Sequence, residues 1–377
     1  MEVVNTFVFP IIRQDFILTA LETLKIHTPA NFLTIVVNQS LPNPEFEDAL
    51  WRAADVVIRT QKNYGFAQGA NIGIRLALAN AEADLDLYQD AGLIVRSQHS
   101  PIATEILLLP TPYVTVANDD IEFIPSDPSW WAGIMETFER FDGDERPAAA
   151  VNPQSTKEPG WGWGEPGFRY LVPNDYPDPE LMEVWADWEI ARLEYREIRD
   201  RVRVERAENG QEGKELKKAF VWSRRRLLGY ADVLAPMVYA HSVTDPEFQR
   251  LMTETRNWQV VDAFACWCTV FRADRLEQIG LYDERFMPGG GEDYDWMARC
   301  YQAGFRALSS SRSWVWHSWG QSKDAPGGHA AAQPRARPPW NKLSVKGFGD
   351  EGLWDPDVDC WGKNCSRVDP EVFRAAL

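Results

Sequence analysis

Apolar residues enter the chain as short β-branched and aromatic runs separated by amphipathic segments. Val3 to Phe9 reads as a strand, and after Pro10 the residues Phe16, Ala20, Leu21 and Leu24 share one helical face. Phe32 to Val37 is a second buried strand, ending in Asn38, Gln39 and Ser40, and Val56 to Ile58 supplies a third. Strand, helix and strand in short succession predict a parallel α/β sheet, in which ligands collect at the carboxyl ends of the strands. Further strands are expected at Ile106 to Leu109, Tyr113 to Ala117, Ala148 to Val151 and Val260 to Phe271. The aromatic stretch SWWAGIMETFERF is expected to be a helix.

The pattern changes between Asp178 and Pro236. Asp178 with Pro179 is a helix start, and Leu181, Trp185, Trp188, Ala191, Tyr195, Ile198 and Val202 keep helical spacing until Asn209 and Gly210 interrupt it. Leu216, Phe220, Ser223, Leu227, Tyr230 and Leu234 then repeat in steps of four and three. This predicts a helical hairpin inserted over residues 176–250 into a domain that spans 1–320. Past Gly320 the composition turns to Gly, Pro and Ala, so residues 321–377 are expected to form a flexible lid and tail. Between Lys323 and Lys346 stand five basic residues and one acid, Asp324, a local balance of 5 − 1 = +4.

Composition narrows the function classes. A chain of 377 residues with 45% hydrophobic content can bury a large core. Its 39 basic and 56 acidic residues leave a net charge of −17, which argues against a nucleic-acid partner, since such binding rests on Lys and Arg neutralising phosphates. A phosphorylated ligand then needs a cation or a local basic patch. Five cysteines are an odd number without zinc-ligand spacing, so neither a disulfide framework nor a zinc site is expected. The chain opens without a basic, signal-like segment, and no run reaches the ~20 apolar residues needed to span a bilayer, so a cytoplasmic protein is expected.

Three stretches carry candidate chemistry. In YVTVANDDIEF a strand ends in Asn118, Asp119 and Asp120, with Glu122 beyond, placing oxygen ligands for a hard divalent cation at the sheet edge. In NYGFAQGANIG the residues Asn63, Gly65, Gly69, Asn71 and Gly73 precede or open a helix, either for close packing or to border a ligand; no Gly-Lys-Ser/Thr closes the run as a P-loop would. In the third, Gly289, Gly290 and Gly291 lead to Glu292, Asp293 and Asp295 at a predicted helix start that stops at Gly304, and His317 follows among Trp314, Trp316 and Trp319. Carboxylates at a helix start also serve as ordinary caps. Trp161 and Trp163 in GWGWGEPG are either sugar-stacking or core residues.

These stretches resemble the catalytic domain of inverting glycosyltransferases of the GT-A fold, particularly family two and its relatives. The resemblance rests on the Gly280-Leu-Tyr-Asp-Glu-Arg-Phe286 lead-in, the Gly-Gly-Glu-Asp that follows, the Trp-His pair, and the Asn63 to Gly73 run, and covers roughly residues 1–125 and 256–320. It implies a Rossmann-like, mostly parallel central sheet flanked by helices. It also implies Asp293 as general base with Glu292 beside the acceptor, Asp120 and His317 on a divalent cation (Mn2+ or Mg2+), and Asn38, Asn63, Gly65, Asn71, Asn118 and Asp119 around a nucleotide-sugar donor. Asn118 departs from the family, which has an Asp at the first position of this motif. The acceptor would be a glycan, protein or small molecule. Two other readings stay open: a non-catalytic nucleotide-sugar or carbohydrate-binding protein on the same fold, and a sugar-nucleotide nucleotidyltransferase, against which stands the lack of glycines after Phe9.

Overall fold

The computed structural model describes residues 4–60, 63–78, 94–97, 111–126, 129–155, 172, 176–254, 260–261, 267–284 and 292–317. At its centre lies β1 (Asn5–Ile11), all seven of whose residues are buried. It pairs in parallel with β2 (Phe32–Asn38) on one side and β5 (Tyr113–Ala117) on the other. A strand covered on both faces reads as a continuous apolar run, which is why TFVFPI was legible.

From β2 the sheet continues in parallel to β3 (Val56–Arg59) and ends in an antiparallel edge, β4 (Ile94–Ser97). From β5 it passes through antiparallel β9 (Cys268–Arg272) to β7 (Ala148–Ser155), then in parallel to β10 (Arg306–His317) and antiparallel to β6 (Ile121–Glu122). The short β8 (Val260–Val261) also pairs with β10. Following the pairings, β1, β2, β3, β5, β7 and β10 all run one way, so their carboxyl ends share one edge.

Helices cover both faces. On one face α1 (Ile17–His27), α2 (Pro44–Ala53) and α4 (Trp130–Phe141) pack around Phe7, Phe9, Phe123 and Trp130. On the other, α3 (Phe66–Leu78), α8 (Ala273–Ile279) and α9 (Glu292–Gln302) pack around Val8, Ile35, Phe271 and Trp296. This is the helix-flanked, mostly parallel α/β sheet that the GT-A resemblance implies.

The hairpin is present as α5 (Pro179–Asn209) and α6 (Lys214–Thr244), followed by α7 (Pro246–Glu254). Asp178 Oδ1 accepts from the N–H groups of Glu180 and Leu181 at 2.9 and 3.0 Å, and Gly210 ends α5 at φ 75°. The second arm does not stop at Pro236, as the apolar stripe suggested. It continues for two more turns because Val238 and Ser242 bury on the same side, and that packing offsets the hydrogen bond that Pro236 cannot donate. Leu181, Trp185, Trp188, Leu227, Leu234 and Val238 close against Ile124 and Trp314, so the hairpin rests on β10 and the segment after β6.

β4 was not anticipated from sequence. Of the expected strand from Val260 to Phe271, the two described pieces are β8 and the first residues of β9. The Ile106 to Leu109 strand, the GWGWGEPG stretch, Gly289 to Gly291 and the 321–377 tail lie outside the described residues.

Candidate functional site

β5 is buried to its end and delivers Asn118, Asp119 and Asp120 to the carboxyl edge, where the Asn118 N–H donates to the Trp267 carbonyl at 2.7 Å. The chain then forms β6, whose antiparallel register on β10 sets Ile121 opposite His317 and Glu122 opposite Trp316. That register joins two distant parts of the sequence. His317 Nε2 lies 3.1 Å from Asp120 Oδ1 and 3.3 Å from Asn118 Nδ2, and both His317 and Asp120 are buried. Burial opposes ionisation of Asp120, but the neighbouring His317 and Arg13 and a backbone hydrogen bond together hold its carboxyl below its usual range.

Asp119 is different. Burial, with the Asp120 carboxylate adding to it, pushes its carboxyl up to about 7, and its Oδ2 has no hydrogen-bond partner among the described residues. Next to these carboxylates is Arg13, a residue that sequence reasoning passed over. It follows β1 at the same sheet edge, is 6% exposed, lies with its guanidinium 4.5 Å from the Phe16 ring, and has no hydrogen-bond partner for Nε or Nη2 among the described residues. Its charge lowers the pKa of both Asp119 and Asp120. The signal was available: an arginine two residues past a fully buried strand is seldom buried without a task.

Gln39 secures the loop before α3. Its Oε1 accepts from the Tyr64 N–H at 2.8 Å, and its Nε2 donates to the Gly65 carbonyl at 3.2 Å. Asn63 Oδ1 accepts from the Gly65 N–H at 2.8 Å, and Gly65 takes φ 85°, a conformation that suits glycine. Asn38 Oδ1 accepts from the N–H and hydroxyl of Ser40, while its buried Nδ2 has no hydrogen-bond partner among the described residues. Asn71 is engaged by the segment after α8. Its amide exchanges hydrogen bonds with the backbone of Tyr282 at 2.7 and 3.1 Å and donates to Glu284, tying α3 to the segment after α8.

Glu292, Asp293 and Asp295 stand in the first turn of α9, as the sequence predicts. Asp295 is committed to structure: its Oδ2 pairs with Arg299 at 2.9 Å, and Arg299 donates onward to the carbonyls of Ile279 and Leu281. Glu292 is buried and Asp293 partly exposed. Helix α9 packs on the sheet and hands the chain through Gly304, at φ 85°, to the start of β10. Its first turn therefore lies on the carboxyl side of the sheet. On the hairpin side, Tyr239 donates to Glu122 at 2.6 Å and its ring lies 4.8 Å from that of Trp316, next to His317. Burial and that bond push the Tyr239 phenol up to about 12.

The donor set suits a hard divalent cation on part of its shell. Bonds of about 2.1 Å in an octahedral arrangement put neighbouring ligand atoms about 3 Å apart, which is the spacing of Asp120 Oδ1 and His317 Nε2. Among the described residues no group of three or more His, Cys, Asp or Glu side chains is gathered for a metal. A pair of protein ligands would leave room for phosphate oxygens and water, the habit of ions that work with phosphorylated substrates. Cys268 and Cys300 are buried, and burial raises the Cys268 pKa. No helix of the structure is long and apolar enough to cross a membrane among the described residues.

No protein-family model matches the chain, and no curated protein matches it. Among solved structures, the chain is similar to GalNAc-T7, crystallised with UDP, GalNAc and Mn2+, at 12% identity and a TM-score of 0.47, over 93% of this chain and 50% of that one. It is also similar to S. aureus TarS at 9% identity and a TM-score of 0.38, over 85% of this chain and 37% of that one. The chain thus spans half the length of the first and 37% of the second.

Proposed function

We propose that this chain is a glycosyltransferase that moves a sugar from a nucleotide-sugar donor to an acceptor hydroxyl with inversion, assisted by a divalent cation. The observation that carries this reading is the meeting of Asp120, Asn118 and His317 at the carboxyl edge of the sheet. In a chain of net charge −17, a nucleoside diphosphate needs such a cation site, and Arg13 supplies a further positive charge beside it. Asp120 and His317 would hold Mn2+ or Mg2+, which when bound neutralises the departing diphosphate. Asp293, partly exposed at the N-terminus of α9, takes the acceptor's proton, and Glu292 positions the acceptor hydroxyl. Asn118, Asp119, Asn38, Asn63 and Gly65 border the donor on this reading.

A thermal-shift screen of UDP-, GDP-, dTDP- and CMP-sugars with and without Mn2+ tests the proposal, because a ligand that binds the folded state raises the melting temperature by mass action. A cation-dependent rise with one donor is expected. No response to any donor overturns the reading. Asn118, an amide where the family has a carboxylate, favours a second reading, a non-catalytic nucleotide-sugar or carbohydrate-binding protein. Donor binding without any transfer to a broad acceptor panel would select it.

A further inference from the structure

We propose that the distal half of the helical hairpin docks the protein on the surface of an anionic lipid bilayer. The proposal stands on the hairpin alone and is independent of the donor site. The first thirteen residues of α6, Lys214 to Arg226, carry Lys214, Lys217, Lys218, Arg224, Arg225 and Arg226 against one acid, Glu215. The local balance is 6 − 1 = +5 in a chain of −17. Lys218 pairs with Glu215 and Arg226 with Glu194, whereas Lys217 and Arg225 form no ion pair among the described residues.

The same stretch exposes apolar side chains. Trp222 is 57% and Val221 43% exposed. Lys218, Trp222 and Arg225 follow one another in steps of four and three, so they share a face, opposite the buried Leu216, Ser223 and Leu227. A tryptophan flanked by basic residues on an exposed helical stripe suits the headgroup boundary, where the ring enters the interface and the cations meet lipid phosphates.

The hairpin also reaches far enough. Each arm has 31 residues and is therefore about 46 Å long. Its apolar cluster with the sheet domain is built from Leu181 to Tyr195 and from Leu227 onward, with Val202 and Leu216 buried between the arms further out. An anionic bilayer repels a body of this charge, and that repulsion fades within a Debye length of about 8 Å at physiological salt. A protruding basic arm can therefore touch the surface while the acidic body stays clear. Duplex nucleic acid would match the cations but leave Val221, beside Trp222, in water.

The test is co-sedimentation of the full chain with phosphatidylcholine vesicles made with and without phosphatidylglycerol, at low and high salt. Binding to the phosphatidylglycerol vesicles alone is expected, weakening with salt. The Lys217→Gln/Arg225→Gln variant should lose about 25-fold in partitioning, about fivefold for each basic residue removed, and Trp222→Ser should weaken binding at both salt concentrations. Far-UV circular dichroism like that of the parent shows that these surface variants are folded. Absent sedimentation, equal sedimentation with neutral vesicles, or parent-like partitioning of folded variants overturns the proposal. So does a dimer that the variants dissociate in light scattering without vesicle binding, or a preference for duplex DNA over lipid.

Discussion

His317 Nε2 sits 3.1 Å from Asp120 Oδ1 because two residues at the end of β10 pair with the two-residue strand β6 that immediately follows Asp120. Both groups are buried, so either they hold each other for structure or they hold a cation together. The two roles separate by experiment. Asp120→Ala and His317→Ala are each expected to abolish the donor-dependent response to Mn2+ in titration calorimetry while circular dichroism stays native. Unchanged cation affinity in folded His317→Ala would assign the histidine to packing.

Asp119 predicts a pH dependence of stability. Its carboxyl, at about 7 in the folded chain against an ordinary 3.8, holds its proton more tightly folded than unfolded. Stability from this group is thus fully present at low pH and is lost as pH rises between about 4 and 7, by up to about 4 kcal/mol for a three-unit shift. Asp119→Asn removes that loss, so its melting temperature should exceed the parent's by more at about pH 8 than at about pH 5. Mn2+ should likewise stabilise the parent more at the higher pH. An advantage that stays the same at both pH values would show that Asp119 titrates normally.

Asp293→Asn keeps the shape of the side chain and removes its basicity. On the proposed mechanism the variant still binds donor and cation, and transfer falls by about 10²-fold or more, the scale of a lost general base. Steady-state kinetics with a responding donor checks both halves. Normal turnover would make Asp293 a helix cap like many acidic first-turn residues.

Much of this architecture was legible because local pattern and tertiary placement agree. β1, β2 and β5 are buried on both faces and read as apolar runs, and Asp178 with Pro179 announced α5 by cap chemistry. The start of α9 at Glu292 and its stop at Gly304 were equally local. What sequence pattern did not reveal depends on distant contacts. Nothing near Pro236 says that Val238 and Ser242 will be buried and carry α6 onward. Nothing near Asn71 says that its amide will be committed to Tyr282. The contact of Tyr239 with Glu122 and Trp316, which brings the hairpin to the candidate site, likewise arises only when the arms pack on β10.

Two glycines in helices give opposite stability predictions. Gly133 in α4 faces β10 so closely that a Cβ there would lie 2.0 Å from the carbonyl oxygen of Arg312 and 2.5 Å from its carbon. These are backbone atoms of β10, in the irregularity between Ser310 and Trp314, and backbone cannot move aside as freely as a side-chain tip could. The Ser129 cap and the Thr137 hydroxyl, bonded to the Gly133 carbonyl at 2.7 Å and to Ser310 at 2.7 Å, also fix α4 at this distance. Gly133→Ala should therefore cost about 3 kcal/mol or more, at the top of the range for overpacking. At Gly229 in α6 a methyl group would meet nothing within 4 Å, and glycine inside a helix is itself destabilising by roughly 0.5–1 kcal/mol relative to alanine. Gly229→Ala should accordingly raise stability by about that amount. Urea denaturation of both variants checks the pair, and a Gly133→Ala protein as stable as the parent would mean that α4 and β10 do not meet this closely.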